Sequence, residues 1–272
     1  MKARPGILLT NDDGIHSAGL WAAAEALSTL GEVTVVAPAA PQSGTGRSHP
    51  GTTSGRVEVL EKTIGGETRR AYAVDGTPAQ AVLFGLLEIL SAPPALVVAG
   101  INYGENVGLG IGVSGTIGAA MEAAAAGVRA LAVSLEMPLE QQIGATHSAD
   151  FSASARFTER FARILLGIEV SPDISAVKVD IPSGATAETP WRLTRLSRNR
   201  YYVPEKSGRK SFSEPAQIPY RIVFDPRAAE EGSDVFAIRV ERKVSVTPLS
   251  LDFTSRVDFT SLESALRGAD AR

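Results

Sequence analysis

Two adjacent carboxylates at the end of an apolar run are the residues best suited to chemistry in this chain: Asp12 and Asp13, within Ile7-Leu8-Leu9-Thr10-Asn11-Asp12-Asp13-Gly14. Two such charges ~4 Å apart repel by roughly 4 kcal/mol at an effective dielectric near ~20. A divalent cation reverses that sign, so the pair points to a hard metal ion. The same Asp-Asp-Gly at a strand end is also what an ordinary turn with an Asp cap looks like. Two further stretches bear on the choice. One is Pro41-Gln42-Ser43-Gly44-Thr45-Gly46-Arg47-Ser48; the other is Gly100-Ile101-Asn102-Tyr103-Gly104-Glu105-Asn106, continuing to Ser114-Gly115-Thr116. Together the three stretches offer carboxylate, hydroxyl and amide oxygens. That set suits magnesium or manganese rather than zinc or copper. Spacing alone does not choose among Ser43, Thr45 and Ser48.

Ser114-Gly115-Thr116 precedes a helical pattern. Free N–H groups at a helix start, with hydroxyls beside them, suit a phosphate, and equally suit a plain helix cap. Arg47 either neutralises such a phosphate or is solvated. Neither glycine-rich stretch matches the dinucleotide or P-loop fingerprints, and no Gly-Lys-Ser/Thr occurs, which argues against an NTPase of that kind. The histidines are His16, His49 and His147. His16 and His49 flank the first two stretches and are candidates for proton transfer near neutral pH, although a lone loop histidine is commonly incidental. Ser43 as an acylated nucleophile is disfavoured, because no Gly-x-Ser-x-Gly elbow surrounds it.

The elements that must position these groups follow from the pattern. Ile7–Leu9 reads as a buried strand running into the acids. Ser17 to Leu30 has helical spacing and stops at Gly31, and Glu32 to Ala37 is a β-branched second strand. This opening predicts a right-handed parallel unit. Pro38 to Gly55 is a long loop of the kind that is often functional. Arg56 to Leu60 and Ala71 to Val74 predict a hairpin about Gly65-Gly66. Thr77-Pro78 starts a helix that runs to about Leu90. Ala95 to Ala99 is a wholly apolar strand, as in the middle of a parallel sheet. A helix over Thr116–Ala126, a strand over Arg129–Ser134, an amphipathic helix over Phe151–Leu166 and a strand over Ile174–Ile181 complete the expected core. If the strands are parallel, all three oxygen-rich stretches open at one edge of the sheet, where open α/β sheets bind ligands.

Beyond Pro182 the character changes. Arg195, Arg198, Arg200, Lys206, Arg209 and Lys210 are interleaved with Tyr201, Tyr202 and Phe212. Aromatics among basic residues can mark nucleic-acid binding. Pro204 and Glu205 break the run, so it reads as a solvated arm. Strands are expected at Tyr220–Phe224, Val235–Val240 and Val244–Leu249, and a terminal helix at Leu262–Leu266. The division is therefore a catalytic core over 1–185 and a C-terminal extension over 186–272 that packs on the core or on a neighbouring subunit.

Composition narrows the class. At 272 residues the chain is near the size at which one core stops growing. A net charge of -3 gives no global field for nucleic acid or an anionic membrane. The absence of cysteine excludes disulfides and thiolate chemistry and fits a reducing cytosol. The apolar part of the N-terminal stretch is too short for a signal-peptide core, and Glu88 and Pro93-Pro94 interrupt the most apolar segment. The expectation is a soluble, cytoplasmic protein.

At its oxygen-rich stretches the sequence resembles the SurE family, stationary-phase survival proteins that act as 5'-nucleotidases. The matching segments are ILLTNDDGIHSAGL, VTVVAP with QSGTGRS, VDGTPAQAV, LVVAGINYGENVG, SGTIGAAMEAA and VSVTPLSLD. The resemblance implies a Rossmann-like, mostly parallel sheet flanked by helices, with a C-terminal β-hairpin and helix arm exchanged within a homodimer or homotetramer. It implies a metal-dependent phosphatase acting on nucleoside 5'-monophosphates, with 3'-monophosphates and short polyphosphate as further substrates, and no nucleic-acid or membrane partner. Carried over by position, it places one Mg2+ or Mn2+ per subunit on Asp12, Asp13, Ser43 and Asn102. Asp12 and Asp13 are then also the catalytic pair. Asn106 and Ser114-Gly115-Thr116 fall at phosphate-contacting positions, and Asn11 joins the substrate-side set. Three departures stand out. Ala99 and Tyr103 replace a Ser and a His that are frequent in the family. Leu109 to Val113 replaces an acidic pair, and Ser48-His49-Pro50 replaces Ser-Leu-Thr. Two rival readings remain for such acids: a receiver-like module that accepts a phosphoryl group, which would want a nearby Lys, and a nucleotide-binding protein without catalysis.

Overall fold

A computed structural model describes residues 4–139 and 149–270. His147 lies outside the described residues. Strand β1 (Gly6–Thr10) leads through the acids into helix α1 (Ala18–Ser28), which Ser17 caps, and then into β2 (Glu32–Pro38). The hairpin β3 (Val57–Ile64) and β4 (Glu67–Val74) is longer than its alternation suggested, and turns at Gly65-Gly66 as expected. Thr77 and Gln80 form a capping box at the start of α2 (Pro78–Phe84), which continues as one widened turn to Ile89. Strand β5 (Leu96–Tyr103) runs four residues past the expected Ala99, because register with its neighbour shifts between Ala99 and Asn102 and pairing resumes. It therefore carries Asn102 inside the sheet rather than in a loop.

A short 3-10 turn (Gly108–Val113) precedes α3 (Gly115–Ala125), followed by β6 (Ala130–Leu135), α4 (Ser152–Gly167) and β7 (Ala176–Ile181). The rest comprises β8 (Trp191–Leu193), β9 (Tyr202–Pro204), β10 (Tyr220–Ile222), α5 (Asp234–Arg239), β11 (Val244–Leu249) and α6 (Phe259–Asp270). The expected strand over Val235–Val240 is thus a helix. Its β-branched residues favour a strand, but Ser233 accepts the Phe236 N–H at 3.2 Å, Asp234 sits in the first turn and Arg239 in the last, and these end effects win.

The main sheet has the order β3-β4-β2-β1-β5-β6-β7-β11-β8. Strands β4 to β7 in that order are parallel, while β3 and β11 run against their neighbours β4 and β7. Alternate residues point to opposite faces. Ile7, Leu9, Val33 and Val35 pack with Leu20, Phe157 and Phe161 of α1 and α4, whereas Leu8, Val36 and Val97 pack with Val82, Ile117 and Ala120 of α2 and α3. The mostly parallel, helix-flanked architecture is as expected. β8 and β11, from the expected extension, complete one edge of the same sheet. From β1 the chain runs to β2 on one side and later to β5 on the other. The reversal of strand order falls between β1 and β5, which is where such sheets open a ligand crevice.

Among the described residues no helix is long and apolar enough to cross a membrane. α6 has no buried residue, and Phe253, Phe259, Leu262 and Leu266 are exposed.

Candidate active site

A cleft of about 1150 Å³ opens at that reversal. Asp12, Asp13, Ser43, Asn102, Asn106 and Ser114 all line it, so the ends of β1, β2 and β5 converge as the parallel reading required. Asp12 is buried. Its Oδ1 accepts a short hydrogen bond from the Thr116 hydroxyl. Burial pushes the Asp12 carboxyl up from its ordinary range, against the pull of Thr116 and the backbone N–H groups at Thr116 and Gly115. Asp13 accepts the Tyr103 N–H at 3.2 Å. Its pKa is pushed up to about 8, first by burial and then by the charge of Asp12. The protein thus holds two acids where neither ionises easily alone, a common mark of a functional site.

Asn102 donates from Nδ2 to the Gly104 carbonyl at 2.7 Å, which leaves its amide oxygen for another partner. Ser43 is exposed on the cleft rim. Asn11 is buried behind the acids and donates to the Gly14 carbonyl at 3.1 Å, while its Oδ1 has no partner. Asn11, Gly115 and Thr116 do not reach the cleft surface. The helix start at Ser114–Thr116 instead faces Asp12, and the Ser114 hydroxyl caps α3 through the Ile117 N–H at 3.1 Å. The donor set suits a hard divalent cation: two carboxylates, an amide oxygen and a hydroxyl, with an orphaned amide oxygen just behind. Among the described residues no three His, Cys, Asp or Glu side chains cluster, so the acid pair carries the charge of any such site.

The second stretch is tied to α3. Gly46 donates to the Val113 carbonyl at 3.0 Å, and a Cβ on Gly118 would stand 2.2 Å from the Gly46 carbonyl oxygen, so only glycine allows this approach. Arg47 neither lines the cleft nor is simply solvated. Its Nε pairs with Glu122 at 2.5 Å, and His49 lies 3.3 Å from the same carboxylate. His16 is exposed and lines the cleft. Tyr103, which stands where a His is frequent in the family, accepts the Ala18 N–H at 3.1 Å and meets Phe151 edge to face. It joins the start of α1 to the Asp13 loop.

The opposite wall was not legible as a site. Arg200, Tyr201, Tyr202, Pro204, Ile218 and Tyr220 close the cleft from the C-terminal part. The solvated-arm reading holds for the basic side chains, since Arg195, Arg198, Arg200, Lys206, Arg209 and Lys210 are exposed together with Phe212, and fails for Tyr201, which is 3% exposed. Tyr201 donates to Glu105 Oε1 at 2.6 Å and Tyr202 to the Glu105 carbonyl at 2.8 Å. Tyr201, Tyr202 and Tyr220 form a chain of edge-to-face rings. The interleaved aromatics were the available signal; their partner, Glu105, lies about a hundred residues away in sequence and gave none.

Comparison with known proteins agrees with this geometry. The family described as Survival protein SurE matches residues 7–203. Among curated relatives, the 5'-nucleotidase SurE of Thermococcus gammatolerans is 43% identical, with 96% of each chain covered. That of Methanosarcina mazei is 40% identical over 96% of this chain and 98% of its own. The crystal structure of the SurE protein from Aquifex aeolicus superposes with a TM-score of 0.74 at 31% identity, covering 96% of this chain and 98% of that one. With its paired acids at the β1–β5 reversal and relatives of this kind along nearly its whole length, the chain belongs to the SurE family.

Proposed function

We propose that the protein is a metal-dependent phosphatase that releases phosphate from nucleoside 5'-monophosphates. The observation that carries the reading is the buried Asp12–Asp13 pair at the sheet's switch point, opening into a cleft whose far wall is aromatic. Asp12, Asp13, Ser43 and Asn102 would hold one Mg2+ or Mn2+. When bound, the ion supplies charge stabilisation at a phosphoryl oxygen and acidifies a water. The chain's own groups do the rest. Thr116 and the start of α3 fix Asp12. Asp13, the less buried acid, would orient or deprotonate the attacking water; its greater exposure to the cleft favours it over Asp12. Asn106 and Ser114 line the phosphate side, where hydrogen-bond donors stabilise charge on the transferring group. Tyr202 and Tyr220 offer aromatic surface for a nucleobase. The receiver-like reading loses ground, because Lys178 is sealed inside and paired with Asp180 and Asp234 rather than free beside the acids.

The direct test is phosphate release over a panel of 5'- and 3'-nucleotides and short polyphosphate, with Mg2+, Mn2+ or chelator. The expected result is release from 5'-monophosphates that chelator abolishes. Chelator-insensitive release would count against the mechanism. Tight AMP binding without release would favour the non-catalytic reading.

A pH effect follows from Asp13. Its folded pKa of about 8 lies above its ordinary 3.8, so the folded state keeps a proton that the unfolded state gives up. That contribution to stability is fully present below the ordinary value and is lost as pH rises through the folded one. The metal-free protein should therefore melt lower at about pH 8 than at about pH 5. Excess Mn2+, which takes the ionised pair, should raise the melting temperature more at the higher pH. An equal gain at both would remove the acids from the ligand set.

The exposed apolar residues of 253–266 also fit an arm that packs on a second copy, in a homodimer or homotetramer. A solution mass of one chain by light scattering would refute that.

A further inference from the structure

Three charged side chains are sealed inside the protein, away from the acid pair. Lys178 and Asp180 on β7, and Asp234 at the start of α5, are each 0% exposed. Lys178 donates to Asp180 Oδ2, and to Asp234 Oδ2 at 3.2 Å. Burial alone would lower the pKa of this ammonium, but the two carboxylates outweigh it and hold it above its ordinary value. The acids also bind backbone. Asp180 Oδ1 accepts the Asn106 N–H at 2.8 Å. Asp234 accepts the N–H of Gly108 at 2.9 Å through Oδ2 and that of Ser197 at 2.9 Å through Oδ1. On β6, Ser134 accepts from Asn106 Nδ2 at 2.8 Å.

These contacts have a common frame. Ser134 is the register partner of Asn102 on β5 and of Asp180 on β7. Asn102, Ser134 and Asp180 thus form a row across adjacent strands at their carboxyl ends, beneath the loop that carries Asn106. We propose that Ser134 and Asp180 are positioning residues that together aim Asn106 into the cleft, one holding its side-chain amide and the other its backbone N–H, with Lys178 as their internal counter-charge. The inference rests on the phosphatase reading, in which Asn106 meets the phosphoryl group. An amide NH2 has two donors, so Asn106 held through one keeps the second for a ligand. Asn106 lies between Gly104 and Gly108, so the local chain is free to wander unless it is tied, and a displacement of ~1 Å at a reacting group can cost on the order of 100-fold in rate.

The test uses the full chain with AMP and Mn2+. Ser134→Ala removes one hydroxyl and no backbone hydrogen bond of the sheet. Asp180→Ala leaves Lys178 in a one-to-one pair with Asp234 rather than stranded. Each is expected to lower kcat by about 10-fold or more while KM for AMP moves by less than about 3-fold. Neither should add to the loss caused by Asn106→Ala, because both act through that side chain. A second readout does not involve turnover. The Asn106 side-chain amide signals in a 1H–15N spectrum, identified by their absence from Asn106→Ala, should shift in both variants. Losses that multiply with that of Asn106→Ala, or signals that do not move, overturn the proposal. Should the unsubstituted protein release no phosphate, the phosphatase reading fails by itself, and the amide signals still decide whether Ser134 and Asp180 hold Asn106. Should Asp180→Ala fail to fold, Ser134→Ala decides alone.

Discussion

Asp12→Asn should abolish phosphate release from AMP and leave the protein folded, with a melting temperature in metal-free buffer no lower than that of the unsubstituted chain. Both halves come from the same geometry. Asp12 is buried, and burial raises its pKa, so its negative charge is held at a cost. An amide of the same shape keeps an oxygen for the Thr116 hydroxyl, carries no charge and removes the Coulombic push that Asp12 exerts on Asp13. The fold loses little or gains. A cation held there would lose one of its two carboxylates, and the transition state the charge stabilisation that would depend on it. Removal of one such preorganised group typically costs on the order of 10²–10³-fold in kcat, and loss of the ion on top should leave no measurable turnover. Activity in chelator and in Mn2+, beside a melting curve, checks this. Undiminished turnover by folded Asp12→Asn would take the site away from this pair.

The second large effect concerns stability. Lys178→Met should destabilise the protein by about 3–5 kcal/mol, because it leaves Asp180 and Asp234 buried against each other with no counter-charge. That is a large part of the ~5–15 kcal/mol available to a typical domain. The pH dependence gives a signature. Burial already holds the Asp180 carboxyl above its ordinary range, and loss of the ammonium removes the main pull against that. The destabilisation is then full above that raised value and relaxes as pH falls toward the ordinary carboxylate range. Urea unfolding at neutral and mildly acidic pH measures it. Adding Asp180→Asn, which removes one of the two facing charges and keeps an oxygen for the Asn106 N–H, should recover part of the loss. Equal unfolding midpoints for Lys178→Met and the unsubstituted chain would show the charge to be dispensable.

How far the site could be read from sequence depended on the range of the interactions that make it. Residues whose roles follow from a strand and its own end were legible. Ile7–Leu9 is apolar on both faces because both faces are covered, and Asp12-Asp13 must then emerge at the strand's carboxyl end. The stretches holding Ser43 and Asn102 joined them once the strands were taken as parallel, while the choice of Ser43 over Thr45 and Ser48 came only with the family resemblance. The expected turn at Gly14 is also present, with φ of 90°. Asn102 lies beyond the apolar run that marks its strand, and no local signal reveals the register shift that restores its pairing with Ser134. The helix at Asp234 was hidden by its β-branched residues, whose propensity is a weaker determinant than a Ser-Asp start. Thr116 looked like a phosphate contact, since a hydroxyl at a helix start suits either a ligand or an acid from another strand. Only the fold shows that Asp12 takes it. Lys178 was the least legible. A lysine in an apolar strand reads as a break in the pattern until two carboxylates, one of them 56 residues further on, are found around it.

The anchoring of Gly108 by Asp234 has a consequence in time. The hydrogen bond joins residues 126 positions apart, and β11 must still follow Asp234 to close the sheet beside β7. The acids of β1 leave the ribosome early, but the loop that faces them across the cleft cannot take its final shape until nearly the whole chain has been made. During synthesis the cleft therefore stays half-formed, and a nascent chain long enough to fold β1 to β6 has acids but no seat for a substrate. The segment from Asp234 to Leu249 is the last part of the chain that the closed cleft needs.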